Sequence, residues 1–249
     1  MRRKILISAV ASLIIACLAL PQACAAQRGS GEDYWIDLLN ATEKALLGTI
    51  YWDGSMTVWA GAYKVEIRDY TGIATPNDPT GFTPKSSRQT WVVCIDKVTL
   101  ADPDWYKRVL GQVPSPNVPG LTQEKWAKKV WLVNTFGYGA VWNGTKDTAC
   151  GLQLAIWEVL TDDTPNLSEG NGKFYVPSGN FASALPYAQQ YLNALLSSGV
   201  DWSTYDISND VCYVNGQNLN EVPIPEPFTL VLASLGIGAV AGLRRLTAR

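Results

Sequence analysis

Three prolines within six residues divide this chain. Between Val222 and Pro227 it reads Val-Pro-Ile-Pro-Glu-Pro. Proline lacks an N–H and fixes φ, so the segment can be neither helix nor central strand, and the folded body closes before it. From Phe228 to Leu243 the chain is apolar and rich in small residues, and it ends with Arg244, Arg245 and Arg249. As a helix, that run would span roughly 24 Å at about 1.5 Å per residue. A hydrocarbon core is about 30 Å thick, so this is a short spanner that needs its flanks to snorkel or the bilayer to thin. The arginines would hold the C-terminus in the cytoplasm and leave the body outside.

The other end fits the same direction of export. Arg2, Arg3 and Lys4 precede an apolar run from Ile5 to Leu20, followed by Ala23-Cys24-Ala25. A basic start, a short apolar stretch and a small-residue site make a secretory signal peptide, residues 1–25, cut after Ala25. A retained membrane helix fits less well, because the stretch is short and Pro21 ends it. A lipoprotein reading rests on Ile14-Ile15-Ala16 before Cys17, but the apolar run continues past that cysteine.

The order of Pro225-Glu226-Pro227, apolar helix and arginine cluster resembles the PEP-CTERM sorting signal of Gram-negative bacteria that make exopolysaccharide. The resemblance covers residues 222–249. It implies that an exosortase recognises Pro225-Glu226-Pro227 and removes the tail during export. It also implies transient anchoring in the inner membrane through 228–243, then delivery to the cell surface or extracellular matrix. An ordinary C-terminal anchor leaves the Pro-Glu-Pro unexplained, and a GPI signal should end on its apolar tail.

Residues 26–221 remain as one extracytoplasmic body, long enough to bury a core. Of the 20 basic residues six lie in the two ends, which leaves 14 against 22 acidic residues when Glu226 of the tail is counted, a net charge near −8. A body this acidic is a poor match for nucleic acid, which needs a clustered basic face. The chain has no histidine, which removes Ser-His-Asp and Cys-His nucleophiles and every histidine-based metal site. Carboxylate-pair hydrolysis needs two opposed acids, and the acidic residues here are scattered. No phosphate loop, EF-hand or zinc spacing occurs. The expectation is a non-enzymatic protein without cofactor or metal.

Ten tryptophans and eleven tyrosines raise the alternative of non-covalent carbohydrate binding by an exposed aromatic platform. Against it, Trp126, Val130 and Val133, with Trp131 alongside, fall at helical spacing, and Trp91 and Trp157 sit in apolar runs. These read as core.

Along the body, Tyr34 to Leu47 reads as a short helix and Tyr51 to Tyr70 as β, alternating through Met56, Val58, Ala60, Tyr63, Val65 and Ile67. Gly72 to Ser87 is loop, Trp91 to Leu100 a buried strand, and Asp104 to Leu110 one or two helical turns. Thr122 can cap a helix whose inner face is Trp126, Ala127, Val130, Trp131 and Val133, with Lys125, Lys128 and Lys129 outside. Further helices are expected over 147–160 and 181–198, the last stopping at Gly199. A β pair at 206–214 and 217–222 turns at Asn215-Gly216. Strands, then helices, then strands predict an α+β domain with a β-rich, sandwich- or barrel-like core, about three helices, and one C-terminal transmembrane helix.

Cys17 and Cys24 leave with the signal peptide, so the mature body keeps Cys94, Cys150 and Cys212, an odd number for an oxidising compartment. Cys150 and Cys212 can pair as a disulfide, leaving Cys94 as the odd thiol; an inert buried thiol is the plainer account. Val93-Cys94-Ile95-Asp96 on a strand, followed by Leu152-Gln153-Leu154-Ala155-Ile156-Trp157 on a helix, resembles the thioester domain of bacterial surface adhesins. That resemblance covers roughly residues 50–215. It departs from the motif at Leu152, where the family has threonine. It implies that Cys94 and Gln153 condense into an internal thioester, open to attack by lysine amines of a partner surface protein. The partner could equally be an exopolysaccharide bound by the body. Cys150-Gly151-Leu152-Gln153 also has the Cys-Gly-x-Gln spacing of complement-type thioesters, with the Cys150 thiolate favoured by a first helical turn. Without any thioester, Gln153 is a buried amide bonded to the backbone.

Overall fold

Alternating buried and polar residues make the first part of the body sheet, and threonine-capped apolar stripes make its middle helix. A computed structural model describes residues 33–73, 79, 81–95, 103–112, 120–170, 172–215 and 217–224. The signal peptide, Asp96, Pro225-Glu226-Pro227, the apolar run 228–243 and Arg244, Arg245 and Arg249 lie outside them. Among the described residues no helix is long and apolar enough to cross a membrane.

The strands are β1 (Tyr34–Trp52), β2 (Ser55–Asp69), β3 (Ser86–Cys94), β4 (Asp104–Leu110), β5 (Phe174–Tyr175), β6 (Val211–Asn215) and β7 (Gln217–Glu221). The helices are α1 (Gln123–Gly137), α2 (Lys146–Thr161) and α3 (Leu185–Leu196), with a π-helical turn, Tyr138–Trp142, prolonging α1. Every pairing is antiparallel. The order runs β2-β3-β7-β6-β4-β1, and β1 pairs with β2 as well, so the ladder closes on itself. The result is an α+β body with a β-rich antiparallel sheet and three helices, as the element pattern predicts.

Two local expectations are corrected. Tyr34–Leu47 is the first part of the long strand β1 rather than a helix. Its helix-forming run Thr42-Glu43-Lys44-Ala45-Leu46-Leu47 is overridden by pairing with β2, since tertiary contacts outweigh propensity differences of a few tenths of a kcal/mol per residue. The helical misreading lies where β1 departs from regular alternation. Register shifts fall between Leu38 and Lys44, and the Asn40 side chain accepts from the N–H groups of Thr42 and Glu43. Asp104–Leu110 is likewise a strand, β4, held between β1 and β6.

Threonine caps open the first two helices, the first at the Thr122 that the sequence predicts. Thr122 Oγ1 accepts from Lys125 N, and Thr145 and Thr148 form a reciprocal capping box at α2, each satisfying N–H groups that the first turn leaves open. α2 is the central helix: from Ala149 to Thr161 every residue is buried. Gly151 lets α3 come close, since a Cβ there would lie 2.7 Å from Tyr187 Cβ and 2.9 Å from Ala184 O.

The lysines of α1 are not all outside. Lys129 is fully buried and Lys125 nearly so; Lys125 Nζ reaches Thr161 O and the exposed Asp163, and Lys128 pairs with Glu124. Lys129 sits three residues after Trp126 and four before Val133, so helical geometry puts it on their stripe. Trp91, Trp126 and Trp157 are buried, as their contexts predict, and Trp131 is half-buried. The body's last sheet contact is Val222, whose N–H donates to Trp91 O and whose C=O accepts from Trp142 Nε1. Ile224, between the prolines, is exposed.

Candidate functional site around Cys94 and Gln153

Cys94 is the last residue of β3, and the strand's hydrogen bonding explains what it does there. Trp91 and Ile95, on either side of it, bond towards β7 and the residue after that strand, through Val222 N to Trp91 O and Ile95 N to Asn218 O. Alternation then turns the N–H and C=O of Cys94 towards β2. But β2 stops pairing with β3 at Ala62, opposite Val93. The next residue, Gly61 (φ +150°), lies so close to β1 that a Cβ there would meet Ala45 Cα at 2.6 Å. The β2–β3 pairing therefore ends one residue short of Cys94.

Gln153 takes the missing place. Cys94 N donates to Gln153 Oε1 at 2.9 Å, and Gln153 Nε2 donates to Cys94 O at 2.7 Å. Both residues are buried, Gln153 completely. The side-chain amide thus stands in for one peptide of a neighbouring strand. The two residues named from the sequence, 59 apart along the chain, are brought together.

Sequence reasoning missed Tyr63. Its hydroxyl donates to Trp59 O and is hydrogen-bonded to the Cys94 side chain, with Cys150 also near. Burial, with Cys94 adding to it, pushes the Tyr63 hydroxyl far above the usual phenol range, so it stays protonated. Only the β alternation of Tyr63 marks it in the sequence, and alternation assigns a face rather than a neighbour.

The possible disulfide between Cys150 and Cys212 is not formed; both are buried free cysteines. They belong to separate settings: Cys150 lies in the first turns of α2 near Tyr63, whereas the Cys212 thiol, on β6, donates to Asp210 Oδ2 at 3.5 Å. The helix start does not give Cys150 a favoured thiolate either. Burial pushes its thiol up, and Asp147 adds to the shift. That removes the electrostatic support for a Cys150–Gln153 thioester, while Gln153 turns its amide to Cys94.

No family model, curated protein or solved structure matches this chain.

Proposed function

We propose that the body is an adhesive or structural module of the cell surface or exopolysaccharide matrix, and that Cys94 and Gln153 form an internal thioester within it. The observation that carries this reading is the double hydrogen bond between the Gln153 amide and the Cys94 backbone. It supplies two things such a condensation uses. The Cys94 N–H polarises the Gln153 carbonyl and can stabilise an oxyanion on Oε1, while the Cys94 C=O holds the leaving nitrogen. The Cys94 sulfur attacks Cδ, the Cδ–Nε2 bond breaks, and the thiol proton leaves with Nε2 as ammonia. Held neighbours of this kind react as if at very high concentration.

A partner amine then attacks Cδ, the C–S bond breaks, and the amine's proton restores the Cys94 thiol. An amide bond to Gln153 remains. Near-complete burial of both residues protects the thioester from water, so attack requires the site to open or the partner to enter. The tail, 222–249, is the address: an exosortase acts at Pro225-Glu226-Pro227, and the inner membrane holds 228–243 until then. The exposed Ile224 between Pro223 and Pro225 suits a processing enzyme that needs extended, accessible chain.

Mass spectrometry of the secreted protein tests this. The thioester itself removes one ammonia from the mass and takes up methylamine, and Cys94→Ala abolishes that uptake. Quantitative alkylation of Cys94 in freshly denatured protein, with no methylamine uptake, would remove the thioester from the account.

A further inference from the structure

A second reactive arrangement lies beside the first, on the opposite face of the same strands. Val93, Asn220 and Cys212 face one another across β3, β7 and β6, whereas Cys94 is level with Leu219 and Tyr213. Alternation therefore sends the two sets to opposite sides. Asn220 is fully buried, and so is Lys129, which reaches it from α1. Lys129 Nζ lies 2.8 Å from Asn220 Oδ1 and 2.8 Å from Asp210 Oδ2. The other oxygen of Asp210 accepts from Asn220 Nδ2 at 3.0 Å. Nδ2 also donates to Val211 O at 2.8 Å and contacts Glu221 O at 3.2 Å. The Trp126 ring closes the site, its centroid 3.5 Å from Nζ.

An ion pair buried this deeply is a poor source of stability, because removing both charges from water costs about what their attraction returns. Its geometry fits a reaction better. An amine lies against the carbonyl of a carboxamide, and one carboxylate bridges the nucleophile and the leaving nitrogen. We infer that Lys129 and Asn220 become joined by an intramolecular isopeptide bond, with Asp210 carrying the proton.

Asp210 Oδ2 takes a proton from the Lys129 ammonium, and the neutral amine attacks Asn220 Cγ. Asp210 relays that proton from its carboxyl to Nδ2 as the Cγ–Nδ2 bond breaks. The attacking nitrogen gives up one further proton to Asp210 and keeps one. The products are the amide, ammonia and a protonated Asp210, so atoms and charge balance without oxidant or cofactor. Burial under Trp126 keeps water from competing for the carbonyl. The product ties α1 to β7, the last strand before the tail. Tension applied through residue 222 would then reach a covalent staple at Asn220 before it could peel β7 from the sheet.

This inference stands apart from the thioester, and Cys94→Ala separates them. Denatured full-length Cys94→Ala protein should be lighter than its sequence by one ammonia, and methylamine should not reverse the loss. Trypsin should fail to cut after Lys129, and wild-type digests should contain one fragment joining the Lys129 and Asn220 peptides. Lys129→Met and Asn220→Ala should each restore full mass, and Asp210→Asn should leave most of the chain unlinked. Recovery of separate Lys129 and Asn220 peptides from wild-type protein would overturn the inference, even with an ammonia lost by cyclisation of Asn220 alone. The digest needs no variant to fold.

Discussion

The carboxamide of Gln153 hydrogen-bonds both backbone groups of Cys94, donating to its C=O and accepting from its N–H. One side chain of α2 thereby completes the ladder of β3 where β2 turns away. Fold and candidate chemistry meet at this contact, and they can be tested separately.

The structural half is read in a Cys94→Ala background, where no cross-link to Gln153 is available and the backbone of residue 94 keeps its bonds. Adding Gln153→Ala there should cost about 2–5 kcal/mol, from two buried backbone groups left unsatisfied and a cavity in the core. Urea denaturation of the single and double variants measures it. A loss under about 0.5 kcal/mol, the usual range for surface positions, would mean that the amide is dispensable to the sheet.

Glu158 should make stability depend on pH. It is fully buried on α2, with Oε1 accepting from Asn166 N and Oε2 without a hydrogen-bond partner among the described residues. Burial pushes its carboxyl up to about 8 from an ordinary 4.5, with Asp162 adding and the Asn166 N–H opposing. The folded chain therefore holds a proton that the unfolded chain has released. Stability from this group is full below about pH 4.5 and falls as pH rises towards 8, by at most about 1.4 kcal/mol per pH unit. Melting curves across that window should show the fall, and Glu158→Gln should flatten it. An equal slope in the variant would place the effect elsewhere.

Gly151→Ala tests the packing of α2 on α3. Alanine in a helix interior ordinarily gains about 1 kcal/mol over glycine. Here the new methyl would press on Tyr187 Cβ and the α3 backbone, so the expected result is a net loss of about 1–3 kcal/mol from overpacking. A raised melting temperature would show that α3 can move away at little cost.

Much of this was legible in the sequence because the signals were local. Thr122 marks a helix start, and the stripe from Trp126 to Val133 marks a buried face. Cys94 and Gln153 stand out together because a strand and a helix carry them in a recognisable context. What stayed hidden depends on pairing between distant segments. Residues 34–47 contain good helix formers, and only the presence of β2 beside them makes them strand. Lys129 was visible by spacing but misjudged by charge; its burial depends on Asp210 and Asn220, some 80 to 90 residues away. Tyr63 could be assigned to a face but not to a cysteine.

The central claim is that Cys94 and Gln153 are bonded to each other in the mature protein. Intact mass of the freshly purified wild type, with and without methylamine, tests it most directly, with Cys94→Ala run in parallel. The predicted result is that wild type gains one methylamine and exposes one additional alkylatable thiol at Cys94, while Cys94→Ala gains neither. A wild type that takes up no methylamine, and whose Cys94 is alkylated in full on denaturation alone, would contradict it and leave Gln153 as the partner of the Cys94 backbone only.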